Sequence, residues 1–436
     1  MSNVNRKVNV VTIIGANGAM GCAISGIFAS FGGAKVYMVC RNKDVANNAK
    51  IRATGSVKAE SIGNRLYAKA YEDLPSCLAE SDLVFESVAE DIGVKKDIYS
   101  VVNRHATNTA IIATGTSGLS ITEMGQCFDV EKRKNFVGLH FFNPPYALTL
   151  CEIIPGAETD LAIIEDMKLY LKNKLVRDIV VSKDRPAFIG NRLGFFFINL
   201  ALQYADKFKD KGGIDYIDAI FGGFTGRSMT PLVTSDFVGL DVHKAIVNNI
   251  YDNTNDFEHE SFDFPEYAEN LVKENKLGRK TNGGLYKIEI GEDKKKTLLV
   301  YDICTNQYRP KNAYSFSFAT KMVESLKRGE YNNAFNVLLS DSSEEAKLCS
   351  VLLARYAIYG LYIAREVGES IHASDITMVN GYGWISPLGL VEAMDKDSFI
   401  SLVKKVGYSD ISIITELMEH IVPSKYDYRR FLKASF

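Results

Sequence analysis

Val8-Asn9-Val10-Val11-Thr12-Ile13-Ile14-Gly15-Ala16-Asn17-Gly18-Ala19-Met20-Gly21 is the stretch whose reading decides the fold. The β-branched run 8–14 predicts a strand buried on both faces, as in a parallel sheet. Three glycines follow, and then Ala23, Ile24, Ile27, Phe28 and Phe31 recur at helical spacing. Strand, glycine loop and helix in that order set backbone N–H groups and a helix N-terminus against a pyrophosphate. A glycine motif alone is a weak signal; directly after the first strand of an alternating chain it is a strong one. The spacing is GxxGxxG in place of GxGxxG, which leaves the turn one extra residue, while Gly21 permits close helix–strand packing. Gly15, Gly18, Ala19, Met20 and Gly21 are the candidate phosphate contacts.

The alternation carries on downstream. Lys35-Val36-Tyr37-Met38-Val39 reads as a second strand ending at Cys40, with further strands at 82–86, 110–114 and 136–139. Helical spacing lies between them, around 92–103, 120–127 and 159–173. This predicts an α/β fold, a doubly wound (Rossmann) mostly parallel sheet with crossover helices over residues 1–184.

The character changes near Lys183-Asp184-Arg185-Pro186. From Asn191 the pattern is long, helical and rich in Phe, Leu and Tyr. It breaks around 283–308, where Gly284 to Ile290 and Thr297 to Tyr301 alternate like hairpin strands, and it returns from about Glu344. The two helical parts read as copies. Asp218-Ala219-Ile220, Gly226-Arg227-Ser228-Met229-Thr230-Pro231-Leu232 and Asp236 to Asp241 answer to Asp375-Ile376-Thr377, Gly383-Trp384-Ile385-Ser386-Pro387-Leu388 and Ala393 to Asp397. The expected domains are 1–184, a first all-α repeat at 185–290, a hairpin and linker at 291–340, and a second repeat at 341–436.

The end of the second strand bears on the cofactor. An acid there would bind the adenine ribose hydroxyls. The chain has Cys40, then Arg41 and Asn42. A carboxylate would repel a 2′-phosphate, whereas Arg41 can pair with one and stack on adenine. The expectation is NAD(P), with NADP(H) slightly preferred over NAD(H); the plain alternative is a solvated Arg41 and no discrimination.

Gly138-Leu139-His140-Phe141-Phe142-Asn143-Pro144-Pro145 runs on to Leu150-Cys151-Glu152. Paired strands returning through the proline turn would bring Glu152 back to His140, and a base oriented by a buried acid is a common proton-transfer device. For a lone His–Glu pair, a core histidine beside a surface glutamate is the commoner case.

Together these stretches resemble the 3-hydroxyacyl-CoA dehydrogenase family, over nearly the whole chain, and in particular members with two C-terminal helical repeats. Glu86-Ser87-Val88-Ala89-Glu90 with Val94-Lys95, Thr116-Ser117-Gly118-Leu119-Ser120, His140 to Pro144, Pro186 with Asn191-Arg192-Leu193, and Gly278-Arg279-Lys280-Thr281-Asn282-Gly283-Gly284-Leu285-Tyr286 are each similar to a family motif. The resemblance implies hydride transfer between a nicotinamide and C3 of a hydroxyacyl-CoA. His140 would be the general acid/base, oriented by Glu152, with Ser117 and Asn191 on the substrate oxygen. Glu90, Lys95, Asn143 and Lys280 would be further cofactor contacts. Ser117 and Asn191 have plainer readings as helix caps, and Asn143 as a turn former. Where the first copy has Asn191-Arg192 the second has Ala354-Arg355, so only the first copy is expected to face the chemistry. A fused second copy could replace the twin subunit of single-copy relatives, which favours a monomer.

The chain departs from the family in three ways. Only 41–71 is available where relatives place a helical hairpin that grips CoA, and it holds Gly55 and Gly63 with weak periodicity. Gly115 stands where relatives usually carry Asn, and no enoyl-CoA hydratase domain is expected. A dehydrogenase for a non-CoA 3-hydroxy acid or 3-oxo compound, and a catalytically silent dinucleotide-binding scaffold, are the alternatives.

Composition excludes other classes. The 436 residues are 46% hydrophobic and 24% charged, with net charge −2, which gives no basic field for nucleic acid or an anionic membrane. Seven scattered cysteines without a CxxC argue against a disulfide framework or a metal site and for a reducing, cytoplasmic setting. The N-terminus shows no signal-peptide apolar region, and the longest apolar run, Leu193 to Ala205, is too short to span a bilayer.

Overall fold

The structure, a computed structural model, describes residues 6–57, 60–291 and 294–408. The chain divides into two compact units. The first runs to Phe188 and takes in Val367–Glu369; the second is Ile189–Glu366 with the chain from Ser370 onward. The expected domain 1–184 lies within the first unit, which also takes 185–188 from the expected first repeat and Val367–Glu369 from the second; the rest of 185–436 forms the second unit. The end of the second repeat, 409–436, lies outside the described residues.

In the first unit, eight strands among the described residues form one sheet: β1 (Val10–Ile14), β2 (Lys35–Cys40), β3 (Leu66–Ala70), β4 (Leu83–Glu86), β5 (Ile111–Thr114), β6 (Phe136–Phe141), β7 (Leu150–Pro155) and β8 (Asp178–Val181). Their order is β3-β2-β1-β4-β5-β6-β7-β8. All pairs are parallel except β6–β7. The helices α1 (Ala19–Ser30), α2 (Lys43–Val57), α3 (Leu74–Glu80), α4 (Ile92–His105), α5 (Ile121–Gly125), α6 (Val130–Arg133) and α7 (Leu161–Asn173) connect them. Side chains alternate along β1, so Val11 and Ile13 enter one apolar layer with Phe28, Phe85 and Met167, while Ile14 enters the other with Val84, Tyr99 and Ile112. Strands buried on both faces by covering helices explain the continuous apolar runs. Chain order reverses between β1 and β4, which places the ligand crevice of such sheets at their C-terminal ends.

The stretch 41–71 holds more structure than its weak periodicity suggested, namely α2 and β3. The buried face of α2 is Ala46, Ala49 and Ala53, and β3 buries Leu66, Ala68 and Ala70. Alanines give close packing with little hydrophobic contrast, so the pattern is faint in the sequence.

The second unit begins with α8 (Gly190–Lys207), α9 (Ile214–Ile220), α10 (Pro231–Val238), α11 (Leu240–Asn253) and α12 (Glu266–Lys273). A three-stranded antiparallel sheet of β9 (Tyr286–Ile290), β10 (Lys296–Asp302) and β11 (Gln307–Pro310) follows, in the expected hairpin region. Then come α13 (Ser317–Lys327), α14 (Tyr331–Ser340), α15 (Glu344–Glu366), α16 (Ala373–Thr377), α17 (Pro387–Met394) and α18 (Lys396–Val406). Among the described residues α15 is long and apolar enough to cross a membrane, but 72% of its apolar window is buried inside the protein.

The copies share their capping chemistry. Asp218 accepts from the Leu232 N–H at 2.9 Å, and Asp375 accepts from the Leu388 N–H at 2.9 Å, each one residue past a proline that opens a helix. The copies also meet at matching positions, in an antiparallel bridge between Arg227 and Trp384. The buried Arg227 guanidinium lies over the rings of Phe197, Trp384 and Tyr356 at 4.0, 4.9 and 5.0 Å.

Candidate active site

The glycine loop follows β1 at the sheet's centre. Gly15 has φ +81°, and a Cβ there would lie 2.5 Å from the Ser87 carbonyl oxygen, so both conformation and space demand glycine. A Cβ on Gly21 would lie 2.6 Å from the Gly15 carbonyl oxygen, the close loop–helix approach expected of it. Gly18 is different, because its nearest neighbour would be 3.5 Å away, an ordinary contact. It is the N-cap of α1 and offers no side-chain cap, so the first-turn N–H groups at Ala19 and Met20 are left to a ligand or to water. Protein packing does not require glycine at 18, whereas the close approach of a pyrophosphate would. The residues present therefore fit a dinucleotide.

At the end of β2, Cys40 is buried, and burial pushes its thiol up. Arg41 is exposed beside it. A second cation, Arg52 of α2, donates through Nη2 to the Asn17 carbonyl of the glycine loop at 2.6 Å, a placement not anticipated from sequence.

At the end of β4 a buried ion pair organises the next loops. Lys95 Nζ lies 2.9 Å from both carboxylate oxygens of Glu86, and each side chain is 1% exposed. Tyr99, Thr114 and the Val88 N–H also donate to Glu86, at 2.7, 2.8 and 2.7 Å. Lys95 reaches Glu90 at 3.3 Å, and Glu90 accepts from the Thr116 hydroxyl and, at 2.8 Å, from the Ser117 N–H. Glu90, Lys95 and Ser117 thus belong to one network, in which Lys95 is enclosed rather than presented. Ser117 does not cap the following helix; Ser120 does, accepting from the Glu123 N–H. A Cβ on Gly115 would lie 2.8 Å from the Phe85 ring, so nothing larger fits there.

His140 and Glu152 are register partners in the β6–β7 ladder. His140 Nδ1 stands 2.6 Å from Glu152 Oε2, with Glu152 fully buried and His140 5% exposed. The rings of Phe142 and Phe188 pack on the imidazole at 4.7 and 5.8 Å. Asn143 is exposed at the head of the turn, joined to Pro144 by a cis peptide.

Residues 10–185 match the family described as 3-hydroxyacyl-CoA dehydrogenase, NAD binding domain, and residues 188–288 match its C-terminal domain. The chain belongs to the 3-hydroxyacyl-CoA dehydrogenase family. It is 29% identical over 351 residues to a probable 3-hydroxyacyl-CoA dehydrogenase of Bacillus subtilis, covering 80% of this chain and 43% of that protein. It is 34% identical over 232 residues to a 3-hydroxybutyryl-CoA dehydrogenase of Clostridioides difficile, covering 53% of this chain and 78% of that one. The crystal structure of an Escherichia coli K12 3-hydroxybutyryl-CoA dehydrogenase superposes with a TM-score of 0.67 over 98% of each chain at 19% identity, a likeness of fold. The chain spans about half the length of the first curated relatives that it matches.

The remaining candidates of this dehydrogenase-family chain lie in the second unit. Asn191 sits in the first turn of α8 without being its N-cap, and its Oδ1 accepts from the Tyr382 hydroxyl at 3.2 Å. Lys280 pairs with Asp241. Arg192 pairs with Asp256 at 2.6 Å, and its counterpart Arg355 pairs with Glu258. Sequence reasoning missed Thr116 and the anchoring part played by Glu86. The only signal for the latter was an acid ending an otherwise apolar strand.

Proposed function

We propose that the chain interconverts 3-hydroxyacyl-CoA and 3-oxoacyl-CoA by hydride transfer with a nicotinamide dinucleotide, with His140 as general acid/base. The observation that carries this is the buried His140–Glu152 pair at 2.6 Å. When bound, the nicotinamide supplies the hydride acceptor or donor. Glu152 engages Nδ1 and leaves Nε2 as the working nitrogen. In oxidation Nε2 takes the C3 hydroxyl proton as the hydride departs; in reduction it returns the proton to the oxygen. Ser117 is assigned to hydrogen-bond that oxygen and hold it in line. The phenylalanine rings around His140 keep water from the imidazole.

NADP(H) is the slightly preferred cofactor on this reading, supported by exposed Arg41 where an acid would select NAD. In the stretch 41–71 the described residues hold one α-helix, α2, and a short 3-10 turn at Glu60–Asn64, which supports a second reading, a non-CoA 3-oxo substrate. The Arg227–Trp384 bridge between the copies supports a monomer. Absorbance at 340 nm with acetoacetyl-CoA and NADH or NADPH, then with free 3-oxo acids, tests the substrate and cofactor. No turnover of either class would leave the silent scaffold. A tenfold advantage of NADH in kcat/KM would reject the NADP assignment, about 1.4 kcal/mol in transition-state binding.

A further inference from the structure

The loop after His140 is anchored at two places, and one is the helix that begins at the glycine loop. The Tyr146 hydroxyl donates to the Ala23 carbonyl in α1 at 3.1 Å. Three residues on, a Cβ at Gly26 would lie 2.2 Å from Tyr146 Oη and 3.0 Å from Val57 Cγ2 of α2. Glycine inside a helix is less stable than alanine by about 1 kcal/mol. Here it opens a notch that the tyrosine hydroxyl fills. On the other side of the loop, buried Arg177 donates through Nη1 to the Pro145 carbonyl at 2.6 Å and through Nε to the Leu175 carbonyl at 2.8 Å. The turn is closed internally by the Ala147 and Leu148 N–H groups on the Pro144 carbonyl, both at 3.0 Å.

We propose that Tyr146, seated in the Gly26 notch of α1, is a positioning residue that fixes the 142–146 loop, and with it the His140 imidazole, against the helix carrying the dinucleotide-binding glycines. The proposal rests on the reading of His140 as the acid/base. Hydride and proton leave the same H–C–O–H unit, so the base must keep its place relative to the bound nicotinamide. A misplacement of about 1 Å can cost about a hundredfold in rate. Of the anchors on this loop, Tyr146 is the one whose far end is α1 itself.

The test is a cycle of Tyr146→Ala, Gly26→Ala and the double variant, with Tyr146→Phe as the milder change. Each single substitution is expected to lower kcat about tenfold, while KM for the dinucleotide stays within about twofold. The pH profile of kcat should keep its wild-type inflections, because the His140–Glu152 pair is intact. The double variant should be no slower than the slower single one, since both act through one contact. Tyr146→Phe, which keeps the ring and should fold as the wild type does, should fall between. A wild-type kcat in either alanine variant, or losses that multiply in the double variant, would overturn the proposal. A fully active His140→Ala would sink the acid/base reading instead, a separate outcome on a separate variant.

Discussion

His140 and Glu152 face each other across the antiparallel β6–β7 pair, so the ladder register itself holds the imidazole and the carboxylate at 2.6 Å. On the proposed reading Glu152 accepts the Nδ1 proton and leaves Nε2 able to take one. Glu152→Gln preserves shape, but its amide can donate to Nδ1, which moves the ring proton to Nε2 and removes the acceptor. Both Glu152→Gln and His140→Ala should lower kcat by about 10²–10⁴, with the dinucleotide affinity unchanged. Steady-state rates beside a fluorescence titration of the reduced cofactor read the two quantities separately. A Glu152→Gln enzyme of wild-type kcat would show that the carboxylate is only a core residue.

Two of the loop glycines, Gly15 and Gly18, should separate by experiment. Gly15→Ala meets a backbone carbonyl at 2.5 Å with φ at +81°, and a carbonyl in a strand connection cannot swing aside. We expect it to lose more than about 2 kcal/mol of stability or to fail to fold. Gly18→Ala meets only a 3.5 Å contact. Its melting temperature should stay within about 2 °C of wild type, while dinucleotide Kd rises at least about tenfold because the added methyl occupies the phosphate's approach. Thermal melts and cofactor titrations decide it, and a Gly18→Ala protein with unchanged Kd would remove the glycine loop from the binding site.

The Glu86–Lys95 pair is buried on both sides, with three further donors on the carboxylate. Breaking a buried pair by removing one partner costs about 3–5 kcal/mol when the remaining charge is left without compensation, and here Lys95 would keep only the half-exposed Glu90 at 3.3 Å. Glu86→Gln should show that loss in urea unfolding. Replacing both partners, as Glu86→Gln with Lys95→Met, should recover part of it. A double variant less stable than Glu86→Gln would mean that the Lys95–Glu90 pair alone stabilises the fold and that Lys95 is not left uncompensated.

What was readable in the sequence follows from where the signal was concentrated. Strands buried on both faces leave continuous β-branched runs, so β1, β2 and β4–β6 could be placed within a residue or two. The turn between His140 and Glu152 was legible because two prolines and two apolar runs permit little besides a return. The part of α2 and β3 was not, since alanine faces carry little contrast. Nor were Tyr146 and Gly26 legible as a pair: their contact spans 120 positions, and neither residue type announces a partner. Which residue caps the helices near Ser117 and Asn191 was not legible either, since it depends on the local backbone path. Ser120 takes the cap, and Asn191 bonds Tyr382 from the other helical copy.

In the second unit Asp236 joins α10 to the strand that closes the Gly278–Tyr286 motif. Its two carboxylate oxygens accept from the Leu285 and Tyr286 N–H groups at 2.8 and 2.7 Å. Burial nonetheless pushes its carboxyl up to about 7, helped by the neighbouring Asp218, itself raised to about 6 by burial. In the unfolded chain an aspartate titrates near 3.9, as a rule about 4. Between about pH 4 and 7 the folded protein therefore keeps a proton that the unfolded chain has shed, so stability falls as pH rises through that window and levels off above it. His243 of α11 acts in the opposite sense, because burial pulls it down to about 3 and its contribution is lost as pH drops below about 6.5. A wild-type profile mixes the two, so the informative quantity is the stability of wild type minus that of Asp236→Asn, in which the site does not titrate. That difference should shrink as pH is raised from 5 to 7, by roughly 1.4 kcal/mol per pH unit at most, and flatten above. Urea unfolding at matched ionic strength measures it, and a difference independent of pH would mean that Asp236 stays ionised on its two N–H donors throughout.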